Sequence, residues 1–475
     1  MTNTVRLFLY AVTALLITAC DKRQETAVDK EAPIYPDYTN ITVPVNIAPL
    51  NFLVRDPLAK DVRVFADGEL LAESSSNAVT IDIDDWKELL ARNAGKQIKV
   101  TVKVGYDDRW TAYRPFTWTV VADSIDSHIT YRLIEPDYEV FGQLQIEERC
   151  VENFDTRALS HCNVVGRRCM NCHISGGGRP DLTAMYVRGK DGGMILNKDG
   201  EIKKLNLQGN GNPSVYFAFS PSGRYMAFST NKIIPAFHAV PKKRLEVFDT
   251  MSDIFVTDLH TGRVYSSPLL SDTTRLETFP TISPDGKYLY YCTAPALTNP
   301  SEIRTLRYSL CRIAFNDATG AIGTEADTIV NARITGTSVC HPRISPDGKY
   351  LVYTVADYGT FPIWHPETDL WMLNLETMQT KPLTAANSDK SDTYHSWSHN
   401  SRWLCFASKR DDGLYGKPYF CYIDRKGQPH KPFVLPQKNP HFYDNCLKSF
   451  NIPELINGRV IFGIGDVEKE IKPIE

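Results

Sequence analysis

Residues 169–173 read Cys169-Met170-Asn171-Cys172-His173, the pattern C-x-x-C-H. Two thiols at this spacing can add across the vinyl groups of a haem, and the adjoining imidazole can ligate the iron from one side. The expected chemistry is one covalent haem c, anchored on Cys169 and Cys172, with His173 as proximal iron ligand. Zinc would need a second pair of ligands at short spacing, and none follows. A redox dithiol would sit in a βαβ pattern, which is absent. A sixth iron ligand would be a Met or His from elsewhere in the chain. His238 is the first candidate, because Ile233, Ile234 and Phe237 around it form the apolar surroundings a haem face needs. His341, at the start of a strand-like run, is the second. Met185 and Met194 read as core residues. His395 and His399 are spaced H-x-x-x-H, but His399 replaces a turn proline, which argues against a shared metal.

The amino terminus bears on whether the motif meets haem. Arg6 precedes an apolar run at 7–16, and small residues lead to Cys20. This is the layout of a secretory signal, too short for a span of ~20 apolar residues. Ile17-Thr18-Ala19-Cys20 resembles a bacterial lipobox. The resemblance implies a signal peptide at 1–19, lipid on Cys20, a polar tether at 20–32, and a mature protein on a membrane surface outside the cytoplasm. The membrane partner would be reached through the lipid, on the periplasmic face or the outer membrane surface. An oxidising compartment permits disulfides, and Cys150 and Cys162, flanking a polar stretch, are the expected pair. Cys311 and Cys421 lie in strand-like runs and read as packing residues. The net charge of −3 and the lack of a basic block argue against a nucleic-acid partner.

These residues need elements to position them. At 475 residues, 42% hydrophobic, the chain can form two or three cored units. Residues 33–125 hold short period-two runs and an Asp67-Gly68 turn, which predicts a β-sandwich of immunoglobulin-like type with one short helix near 84–93. Residues 126–181, with the motif, read as a connecting segment. Beyond it, four segments repeat around serines 220, 283, 345 and 398, in steps of 63, 62 and 53 residues. Ser283-Pro284-Asp285-Gly286 and Ser345-Pro346-Asp347-Gly348 are strand–turn–strand signals. A further strand follows three of the four, as at 253–259, 369–375 and 419–424, making four-stranded units.

These repeats resemble the TolB-like propeller repeats of bacterial exported proteins. The resemblance covers 182–475 and implies an all-β propeller of about six blades, closed by strands near 129–147. Tyr216, Phe279, His341 and Tyr394 stand four residues before the shared serines, and their ring is expected at one end of the channel. There is no G-x-S-x-G, no H-E-x-x-H and no nucleotide Gly loop, so an enzymatic role is not indicated. The expected function is electron transfer by a haem carried on a propeller, with a redox or envelope protein as partner. The alternative is a non-enzymatic binding or scaffold module whose haem is structural or absent.

Overall fold

In each serine repeat the turn is built by its own side chains. In the second, Ser283 Oγ donates to Asp285 at 2.6 Å and Gly286 N–H closes on the Ser283 carbonyl at 2.8 Å. Gly286 and Gly348 take φ of 68° and 70°, where a glycine is unstrained. A computed structural model describes residues 23–135, 142–189, 191–209, 211–240 and 243–471; the side chains of Cys172, Pro213, Pro300 and residues 236–244 lie outside the description.

Six antiparallel units follow one another around a ring, five of four strands and the second of five, with Gln208–Gly209 paired ahead of its innermost strand. The innermost strands of the first five are Met170–Ser175, Asn212–Phe219, Arg275–Ile282, Ser338–Ile344 and Asp392–Trp397. The sixth takes its innermost strand, Ser449–Ile456, from the far end of the chain. Its outer strands are His128–Ile134, Gln145–Cys150 and Thr156–His161. Successive innermost strands touch all the way round, and Ser449–Ile456 meets Met170–Ser175 to complete the circle. This is a six-bladed β-propeller closed by strands from opposite ends of the chain. Residues 128–161 are therefore blade strands, and 170–175 is the inner strand of blade one. The separate connecting segment expected at 126–181 does not exist as such, because its strands find backbone partners in the ring.

Ahead of the ring lie a seven-stranded and a three-stranded sheet. Asp61–Ala66 and Phe116–Val121 alternate buried and half-buried positions, as one-sided strands do. Trp86 and Trp118 are fully buried edge to face, with centroids 5.3 Å apart, and each indole N–H reaches a backbone carbonyl. The helix is Ile83–Arg92, capped by Asp82. Part of the stretch read as a tether is an edge strand: Gln24–Ala27 pairs in parallel with Arg109–Ala112. The unit is no free spacer. Its apolar residues share one core with blades four, five and six, and Trp403 Nε1 and Asn400 Nδ2 of blade five donate to the Asp123 and Ser124 carbonyls.

Candidate functional site

On the innermost strand of every blade the pairing slips by one residue, between 171 and 174, 215 and 218, 278 and 281, 340 and 343, 393 and 396, and 451 and 454. Such bulges re-aim side chains. The first bulged residue is left-handed at Tyr216, Phe279, His341, Tyr394 and Ile452, with φ of 50°, 53°, 52°, 51° and 46°. A left-handed backbone costs an L-residue about 1–2 kcal/mol, and here it recurs around one ring. In blade one the slip falls on Cys172 and His173. The motif thus occupies the bulge dipeptide that elsewhere reads Tyr216-Phe217, Phe279-Pro280, His341-Pro342 and Tyr394-His395.

The bulged residues line a small axial cavity of about 40 Å³, with His173, His341, His395 and Arg343 in its wall. His341 stacks 4.1 Å from Phe279 and meets Tyr394 edge-on at 4.9 Å, centroid to centroid. His173 is buried. Its Nε2, also buried, has no partner. Burial, then the charge of Arg132, pushes its pKa down to about 4. The imidazole is therefore neutral at physiological pH with Nε2 free, the protonation state a metal-ligating histidine needs. His395 donates from Nε2 to the Val352 carbonyl at 2.8 Å, leaving its buried Nδ1 without a partner; His341 Nδ1 is likewise unpartnered.

Above the ring lies a larger cavity of about 630 Å³, which shares Tyr216, Tyr394 and Ile452 with the smaller one. Cysteine 169 opens onto it. Its roof is a hairpin of blade two, Tyr225–Val240 with Lys243–Asp258, each strand 16 residues long where the matching strands of blade three have 8 and 7. Ile233, Pro235, Leu245 and Val247 of this arm face the cavity. Leu245 packs with Tyr394, Ile363 and Trp364 across the mouth, and Glu246 is tied to buried His365 at 2.9 Å. A cavity of this volume is in the range of cofactor sites, about 300–1,000 Å³.

The structure thus brings Cys169, His173 and His341 to the channel mouth. His238 belongs to the arm, but its side chain lies outside the description, as does that of Cys172. Cys20 and the signal fall outside the described residues. The pairing of Cys150 with Cys162 is corrected: both are free. Cys162 stands opposite Leu144 and Cys150 is six residues further along that strand, roughly 20 Å away at ~3.3 Å per residue, beyond disulfide reach. Met170 is not in an attachment loop; it is a buried strand residue in the core with Met185. Among the described residues no group of three or more His, Cys, Asp or Glu can hold a bare metal ion. A haem iron asks less of the protein, since the porphyrin fills four positions and an axial imidazole a fifth. His173 can supply that imidazole; it lines the small axial cavity, which adjoins the larger cavity lined by Cys169 through Tyr216, Tyr394 and Ile452.

Sequence reasoning missed the wall opposite the arm, where Arg132, Arg167, Arg168 and Arg188 meet. Only Arg167-Arg168, directly before Cys169, gave a local signal. It also missed Ile452, whose blade lacks the serine turn. Among the described residues no helix is long and apolar enough to cross a membrane.

No family model and no curated protein matches the chain. Among solved structures it is similar to an oligogalacturonate lyase in complex with manganese, at 15% identity over 61% of this chain and 70% of that one, TM-score 0.38. An auxiliary nutrient binding protein from Bacteroides thetaiotaomicron is similar at 7% identity over 86% of both chains, TM-score 0.33. The periplasmic gluconolactonase of Pseudomonas aeruginosa is similar at 12% identity over 66% of this chain and 97% of that one, TM-score 0.33. The propeller assignment rests on the strand order of the chain itself.

Proposed function

We propose that this chain is an envelope lipoprotein that carries one covalent haem c at the mouth of its propeller and passes single electrons to a protein partner at the membrane surface. The observation that carries the reading is His173, a buried neutral imidazole with Nε2 unpartnered, four residues from a cysteine that opens onto a cofactor-sized cavity. Cys169 and Cys172 would anchor the group and His173 would ligate its iron. The group, when bound, supplies one-electron redox chemistry. The chain's own part is to bury His173 as a neutral imidazole, and to keep bulk water out with the apolar arm over Tyr216 and Tyr394. His238, on that arm, remains the leading candidate for the far axial position and His341 the next. Lipid on Cys20 would supply the membrane attachment.

A pyridine haemochrome spectrum and intact mass of the chain made with haem-attachment machinery test the reading. Covalent haem is expected, and is expected to disappear in the Cys169→Ala, Cys172→Ala double variant. Absence of a Soret band and of added haem mass in the parent chain overturns it, and leaves a propeller whose mouth binds a partner or ligand without haem.

A further inference from the structure

The four arginines on the cavity wall lack acidic partners among the described residues. Arg132, 9% exposed, spends Nη1 on the Met170 carbonyl at 2.9 Å and Nη2 on Asn451 Oδ1 at 2.7 Å; its Nε is buried with no acceptor. Arg168 carries a buried Nη1 with no acceptor, and Arg188 bonds only the neutral Asn171 Oδ1, at 3.1 Å. Arg167 is exposed at the rim. No described carboxylate makes an ion pair with any of the four. Several arginines elsewhere meet carboxylates, as Arg410 meets Asp392 at 2.8 Å, Arg157 meets Glu148 at 3.0 Å and Arg402 meets Asp347 at 2.9 Å, while buried Arg149 is instead satisfied by three backbone carbonyls. Four formal positive charges around one partly dry space are costly unless an anion completes them. The opposite wall, formed by the arm and Phe361, is apolar, with Tyr216 and Tyr394 between.

We infer that this wall is a carboxylate site. It takes a ligand with more than one carboxylate on a flat or bulky apolar body, the acids on the arginines and the body under the arm. Planar guanidinium forks suit carboxylates, and charge-assisted bonds in a sheltered cavity are strong. The carboxylates could be the propionates of the haem proposed above or those of a free acid. The arginine geometry does not depend on which, so the inference stands apart from the haem reading.

The test uses the full chain, purified in detergent from cells lacking haem-attachment machinery. Binding of mesoporphyrin IX, a metal-free diacid, is compared by fluorescence with binding of its dimethyl ester, and naphthalene-2,6-dicarboxylate is titrated as a non-porphyrin diacid. The acid is expected to bind at least about tenfold tighter than the ester, with affinity falling as salt rises. Arg132→Gln with Arg168→Gln is expected to remove that preference. Arg167→Gln with Arg188→Gln, both exposed and therefore safe for folding, is expected to weaken the acid about tenfold and leave the ester unchanged. Arginine-dependent binding of the naphthalene diacid would assign the site to free acids; mesoporphyrin binding alone would assign it to propionates. Equal binding of acid and ester, indifference to the exposed pair of substitutions, or no binding of either diacid overturns the inference. A negative haemochrome with acid preference intact sinks only the haem reading; covalent haem without acid preference sinks only this one.

Discussion

Replacing His395 by Gln is expected to make the haem-free propeller less sensitive to acid. His395 is 1% exposed; burial, with the charge of Arg343 adding to it against the Val352 carbonyl, pushes its pKa down to about 3. An unfolded histidine titrates near 6.5. Below that pH the unfolded chain takes up a proton that the folded one refuses, so stability present above pH 6.5 is lost as pH falls toward 3. The slope is about 1.4 kcal/mol per pH unit. Between pH 6.5 and 4.5 the wild type should therefore lose about 2–3 kcal/mol relative to the variant, whose amide can still donate to the Val352 carbonyl. Asp249, raised to about 6, and Glu277, raised to about 8, both by burial first, titrate in the opposite sense. They are common to both proteins and cancel in the comparison. Urea unfolding of both at the two pH values measures it, and a stability difference that does not change with pH contradicts a buried neutral His395.

Phe450→Ala should be among the most damaging single changes in the molecule. Phe450 is 1% exposed on the closing strand, in register with Leu133, and its ring lies 4.7 Å from Tyr131. It packs the seam where the closing strand meets blade strands from the other end of the chain. Truncating a buried phenylalanine costs about 3–5 kcal/mol through lost burial and the cavity left behind. Leu447→Ala, three residues earlier and 67% exposed, is expected within about 0.5 kcal/mol of wild type. Denaturant midpoints of the two variants check the contrast. A loss below about 1 kcal/mol for Phe450→Ala would mean that the seam is not where the ring is held.

What the sequence revealed follows from how local each signal is. The serine turns exposed blades two to five because turn chemistry and two flanking strands fit in a dozen residues. Blade one escaped in part, since its inner strand carries Cys172 and is interrupted by a bulge, so period two is lost and Met170–Ser175 reads as a loop. The axial ring was visible at four positions through the spacing to the serines, but Ile452 was not, since residue 456 is Ile rather than Ser. The arginine wall was invisible because Arg132 stands on blade six, Arg167 and Arg168 in the turn before blade one, and Arg188 after its second strand. Only the closed ring makes them neighbours. The disulfide expectation failed for the opposite reason: nearness in sequence concealed a hairpin that holds Cys150 and Cys162 at opposite ends.

The split ownership of blade six has a consequence for biogenesis. Outer strands 128–161 leave the ribosome about 300 residues before the strand that completes them, and contacts so distant in sequence form late and slowly. Until Ser449–Ile456 arrives, one side of Met170–Ser175 is bare, and the axial cavity that His173 lines lacks Ile452. On the haem reading proposed above, an enzyme that attaches the group to Cys169 and Cys172 would have its opening in that interval. Ring closure would then act as the timer that ends modification, and mutants that close early should leave the secretory route with their thiols unmodified.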